Sequence, residues 1–222
     1  MLYLVINLLL AAIPSVALVL YFYRKDRQRR EPPLLIWKVF VAGFLAVIPA
    51  ALVERLFGGL GSELSDPIRD IVRAFLIAGL VEEGTKLLVV RSFVYRRPEF
   101  DEVADGIVYT ITAGLGFAFF ENLLYSFGPP EVLLMRGVTA VPLHAVSAGI
   151  MGYFVGRSKF GERRLFGRGL FFAVLIHGSY DWLLFAGSWY IVLVLPLLFV
   201  CLRILQRLYR RALEADRAEG RS

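Results

Sequence analysis

Seven apolar stretches, each long enough to cross a bilayer, follow one another along the chain at roughly 2–23, 34–57, 68–92, 105–127, 132–156, 168–186 and 188–206. A helix needs about 20 residues to cross the hydrocarbon, and only helices and closed barrels satisfy their own backbone there. The runs are too long and continuous for barrel strands. They predict an all-α, polytopic transmembrane helix bundle of about seven spans. Composition agrees: at 58% hydrophobic residues and a mean hydropathy of +0.64, a soluble domain of 222 residues lacks the polar residues to cover its surface. No internal repeat, heptad pattern or soluble domain interrupts the pattern, so residues 1–222 read as one integral-membrane domain.

The excess of 25 Lys and Arg over 19 Asp and Glu does not point to nucleic acid, because the basic residues cluster between the apolar runs. "RKDRQRREPP", "RSFVYRRPEFDEVAD", "GRSKFGERRLFGR" and the tail "RILQRLYRRALEADRAEGRS" hold nearly all of them. The alternate loops "GGLGSELS", "GPPE" and "GS" hold none. The positive-inside rule then predicts an outside N-terminus and a cytoplasmic C-terminus, with 203–222 as a basic cytoplasmic tail able to lie along anionic lipid. The first apolar run has no basic n-region and is too long for a signal-peptide core, so it reads as a retained span. The single cysteine, Cys201, excludes an intrachain disulfide. "DPIRDIVRAF" reads as a solvated turn with ion pairs among Asp66, Arg69, Asp70 and Arg73.

Away from the span ends few ionisable residues remain: Glu82, Glu83 and Lys86 in the third span, Glu121 in the fourth, His144 in the fifth, and His177 with Asp181 in the sixth. Such groups at membrane depth usually face the bundle interior and mark a site. Glu82 and Lys86, at i and i+4, share a face and can neutralise each other, while Glu83, about 100° further round, is left free to act as a general base. In "FAFFENLLY", Phe117, Glu121 and Tyr125 share another face; Tyr125 reads as an interfacial belt residue and Asn122 as an interhelical hydrogen bond. Both histidines of the chain lie in apolar segments flanked by small residues, "VPLHAVSAGIMG" and "LIHGSYDW". At about 1.5 Å per residue, His144 and Glu83 each lie roughly 20 Å from the basic end of their span, and His177 roughly 14 Å. Asp181, four residues after His177, can orient the imidazole or bind a metal itself.

Two histidines and a carboxylate with a fourth position for water form an open catalytic zinc site, and a free glutamate beside it completes metal-assisted hydrolysis. The helical motif H-E-x-x-H is absent, so any such site is assembled from separate spans. The catalytic candidates are Glu82, Glu83, Lys86, His144 and His177; the candidate zinc ligands are Glu121, His144, His177 and Asp181. Which of Glu82 and Glu83 is the base stays open. Arg136 falls outside this cluster.

"YFYRKD…EP", "EEGTK", "DGIVYTITAGLGFAFFENLLY", "HAVSAGIMGYFVG" and "LIHGSYDW" resemble, in order and separation, the blocks of the PrsW family of bacterial intramembrane proteases. The resemblance implies a multi-pass metalloprotease of the bacterial cell membrane, with Glu82 and Glu83 matching the family's glutamate pair and His177 its last essential histidine. It also implies a partner: a single-pass substrate, an anti-sigma factor, which such enzymes cut first on its extracytoplasmic side. The family is distantly similar to the CAAX prenyl endopeptidases and ABI-type glutamic proteases, which have histidine where this chain has Glu121. For those a metal-free glutamate–histidine mechanism is the alternative. Two readings from other classes compete: a proton- or cation-coupled transporter, since buried Glu, Asp and His also form relays, and a non-catalytic membrane scaffold.

Overall fold

In the computed structural model, residues 2–25, 30–161, 165–187 and 190–221 are described, and among them every regular element is helical. Parts of two basic loops (26–29 and 162–164) and Ser188 of the short "GS" turn lie outside the described residues. The elements are α1 (Leu2–Lys25), α2 (Pro33–Leu45), α3 (Val47–Phe57), α4 (Asp66–Ile71), a π-helical stretch Val72–Gly79, α5 (Leu80–Phe93), α6 (Val103–Tyr125), α7 (Pro130–Val138), α8 (Ala140–Phe160), α9 (Phe166–Phe185), a 3₁₀ turn Tyr190–Leu193 and α10 (Val194–Ala218).

The bundle is built around α6 and α8. Small residues let these helices approach to backbone contact: a Cβ on Gly152 would lie 2.3 Å from the Gly106 carbonyl oxygen, and one on Gly156 2.3 Å from that of Val103. The α2–α6 contact works the same way: a Cβ on Gly116 would lie 2.1 Å from the Phe40 carbonyl oxygen. Lipid offers no hydrophobic drive between helices, so close packing of this kind is what holds them together. α1 and α10 lie at the periphery and leave most of their apolar surface exposed, as lipid-facing helices do.

Among the described residues, five helical segments are long and apolar enough to cross a membrane: Tyr3–Lys25, Pro33–Phe57, Val103–Tyr125, Pro130–Phe160 and Tyr190–Ala218. The remaining two of the seven expected segments are also helical, as α4–α5 and α9. They fall short of that standard because they carry Glu82, Glu83 and Lys86, and Arg168, His177 and Asp181.

Besides the turn at Ala46 between α2 and α3, two expected continuous spans are broken beside the site. The stretch 68–92 is not one α-helix: its π-helical section ends three residues before Glu82, and the wider turn rotates the glutamates relative to α4. The stretch 132–156 is interrupted at Thr139, whose φ of −120° and ψ of −69° leave the helical region. Pro142 has no N–H for the Val138 carbonyl, so the helix restarts here with α7 turned relative to α8. Thr139 Oγ1 lies 3.1 Å from the Tyr180 hydroxyl on α9, which fastens the break.

The tail continues α10 as a helix. Leu205, Tyr209, Ala212 and Asp216 form its buried stripe, and Asp216 accepts hydrogen bonds from the backbone N–H groups of Val103 (2.7 Å) and Ala104 (3.1 Å), capping α6. At the same end Tyr109 donates a hydrogen bond to Glu31. The predicted ion pair on α4 forms between Arg69 and Asp66, while Arg73 lies over the Phe185 ring.

Candidate active site

The isolated ionisable residues of four expected spans converge. Lys86, wholly buried on α5, donates from Nζ to Glu82 Oε2 (3.3 Å), Glu83 Oε1 (2.8 Å) and His144 Nδ1 (2.9 Å). An ammonium group has three N–H bonds, and three acceptors meet it. Since His144 Nδ1 accepts, its other nitrogen carries the proton, and Nε2 donates to Glu121 Oε2 at 2.8 Å. Lys86 also lies 4.5 Å above the Phe117 ring.

Glu83 is not the free carboxylate expected from its position on the helix. Its Oε1 accepts from Lys86, from His177 Nδ1 at 2.7 Å and from Ser147 Oγ at 3.1 Å. Its other oxygen, Oε2, is buried without a hydrogen-bond partner. The imidazole of His177 is thus oriented by Glu83 rather than by Asp181. Its Nε2 faces Glu82 Oε2 and Asp181 Oδ2, each at 3.6 Å, beyond hydrogen-bond range. The two imidazoles stand at 88° with centroids 5.1 Å apart.

Glu82, His144 and His177 have donor atoms that all lie within 4.8 Å of one another. Glu82 therefore belongs to one cluster with both histidines. Glu121 and Asp181, the two carboxylates expected among the zinc ligands, flank His144 and His177 respectively. The donor set fits a zinc ion. Ligand atoms in a tetrahedral zinc shell, with bonds of about 2.0–2.1 Å, lie roughly 3.3 Å apart. Within the set, His177 Nε2 and Glu82 Oε2 stand 3.6 Å apart, close to that spacing, and all three donor atoms lie within 4.8 Å of one another. On His177 the opposite nitrogen, Nδ1, faces the Glu83 carboxylate, the usual arrangement behind a ligating histidine, whereas on His144 Nδ1 accepts from Lys86 and the Nε2 proton points to Glu121.

Sequence reasoning missed one member of this network. Arg136 on α7, placed outside the cluster, donates to Asn122 Oδ1 at 2.7 Å and to Glu121 Oε2 at 3.2 Å. Asn122 does make the expected interhelical bond, and Tyr125, exposed at the end of α6, lies under the Arg136 guanidinium. The signal was an ionisable residue just inside the end of an apolar run.

A buried constellation of glutamates, histidines and a lysine inside a helical membrane bundle defines the class: a polytopic membrane protein with a buried Glu–His–Lys cluster. Comparison with known proteins makes this specific. Residues 31–204 match the pattern of the PrsW family intramembrane metalloproteases, and the chain belongs to that family. It is 40% identical over 177 residues to Protease PrsW of Geobacillus kaustophilus, covering 78% of this chain and 77% of the relative. It is 36% identical over 213 residues to Protease PrsW of Clostridioides difficile (88% and 87% covered) and 34% identical over 192 residues to that of Bacillus subtilis (82% and 84% covered). No solved structure matches it. The chain is thus a multi-pass bacterial membrane protein and a peptide hydrolase, which decides against the transporter and scaffold readings.

Proposed function

We propose that the chain is an intramembrane endopeptidase making the first cut in a membrane-bound anti-sigma factor or a similar single-pass protein. The observation that carries this reading is the convergence of Glu82, His144 and His177 in a buried cluster, with Glu83 and Lys86 behind them. The alternation of loops rich in and free of basic residues supports seven spans with the N-terminus outside and the C-terminus cytoplasmic. The two less apolar segments are those that supply the glutamate pair and His177.

Glu82, His144 and His177 would hold a zinc ion, with Glu121 and Asp181 as the neighbouring carboxylates. Bound there, zinc supplies Lewis acidity toward water and toward the scissile carbonyl. Glu83 acts as general base: Oε2, the oxygen without a partner, accepts a proton from the attacking water and returns it to the leaving amine. Lys86, Ser147 and His177 hold Oε1, so the carboxylate keeps one orientation through this exchange. Burial of Lys86 and Glu83 keeps bulk water away from the far side of the site.

The test is cleavage of a single-pass reporter by purified protein in liposomes, with zinc content measured in parallel. Wild type should cut and hold zinc, Glu83→Gln should hold zinc without cutting, and His177→Ala should lose both. Cleavage that survives chelation but not Glu83→Gln would transfer the reading to a metal-free glutamate mechanism. An active Glu83→Gln would remove that residue as the base.

A further inference from the structure

Arg136 belongs to α7, outside the helices that supply the glutamate pair and the histidines, yet it makes two directed bonds to consecutive residues of α6. Nε donates to Asn122 Oδ1 at 2.7 Å and Nη2 to Glu121 Oε2 at 3.2 Å. That same Glu121 oxygen accepts from His144 Nε2 at 2.8 Å. The guanidinium carbon lies 4.1 Å from the centroid of the Tyr125 ring. Stacking restricts the plane of the guanidinium, and a planar fork then points its two N–H groups in set directions. Asn122 is wholly buried, so the acceptor for Nε has one fixed place. Glu121 differs: its side chain is 21% exposed and keeps rotamer freedom unless something ties it.

We infer that Arg136 is a positioning residue for the hydrolytic site. It uses Asn122 and Tyr125 as fixed points and clamps the Glu121 carboxylate against His144 Nε2. Through that contact it sets the imidazole whose other face meets Lys86. The break at Thr139 is what allows this, because it turns α7 so that Arg136 reaches back to the end of α6 while His144 enters the cluster from α8. Lysine in its place would keep the charge but lose the fork and the stacking plane, so it could not hold Asn122 and Glu121 together. The inference rests on the function proposed above.

The test compares full-length wild type, Glu83→Gln, Arg136→Lys, Arg136→Ala, Asn122→Ala and the Arg136→Lys/Asn122→Ala double variant, using the single-pass reporter in liposomes. Arg136→Lys should lower kcat by about 10- to 100-fold, the usual effect of losing an outer partner of a site histidine, with KM within about twofold of wild type. Added guanidinium should restore part of the kcat of Arg136→Ala, and ammonium should not. Asn122→Ala should lower kcat, and in the Arg136→Lys background it should lower it no further, because the two act as one unit. Wild-type kcat in Arg136→Lys would overturn the inference and leave the protease reading standing. So would additive losses in the double variant. If Arg136→Ala fails to accumulate, Arg136→Lys and the cycle with Asn122 decide alone. A wild type no more active than Glu83→Gln would remove the proposed function, and the inference with it.

Discussion

Replacing Lys86 by methionine should destabilise the whole bundle and not merely silence the site. The ammonium is wholly buried and meets Glu82, Glu83 and His144 at 3.3, 2.8 and 2.9 Å. Methionine has similar length and no charge, so packing changes little while two buried carboxylates lose their counter-ion. Removing one partner of a buried ion pair costs about 3–5 kcal/mol. Three charge-assisted hydrogen bonds at roughly 1.5–3 kcal/mol each would sum to more, but they share one donor group and are not additive. For a chain of this size each kcal/mol shifts Tm by about 2–4 °C, so Lys86→Met should unfold about 6–20 °C below wild type. Cys201, the only cysteine and 4% exposed, provides the assay, because a thiol-reactive fluorophore labels it only as the bundle opens on heating in detergent. Adding Glu83→Gln should recover part of the loss, since it removes a charge left unpaired. A Tm for Lys86→Met within about 2 °C of wild type would refute the idea that Lys86 neutralises the cluster. A double variant less stable than the single one would refute it equally.

Three further outcomes test the scaffold around the site. Burial pushes the Glu31 carboxyl above its ordinary value of 4.5. Its contribution to stability is therefore complete below pH about 4.5 and is lost as pH rises through the higher folded value, so Glu31→Gln should flatten the fall in Tm on going from acid to neutral pH. Asp216→Ala removes the acceptor for two N–H groups at the start of α6 and should cost about 0.5–2 kcal/mol, read as a lower Tm with reporter cleavage retained. Gly152→Ala places a Cβ 2.3 Å from the Gly106 carbonyl oxygen. It should cost about 1–3 kcal/mol by forcing α6 and α8 apart, measured by thermal unfolding, and unchanged stability would mean the two helices can separate freely.

Helical class, membrane character and the short set of interior ionisable residues could be read from the chain alone, because hydropathy and helical periodicity are local properties. An apolar run of spanning length is helical wherever it sits, and a charge inside it is conspicuous without knowing its neighbours. The i, i+4 relation of Glu82 to Lys86 was legible for the same reason, as was the interhelical role of Asn122. Which residues meet across the bundle was not. His144 reaches Lys86 over 58 positions and His177 reaches Glu83 over 94, and no periodicity links such pairs. Tertiary packing decided that Glu82 joins the histidine cluster while Glu121 stands beside it, that Glu83 is tied by three donors, and that Arg136 lies inside the network. The causes are two departures from regular α-helix, the π-helical turn before Glu82 and the break at Thr139. Each rotates the residues after it relative to an unbroken helix, and a hydropathy pattern cannot register a rotation whose apolar residues stay apolar on every face.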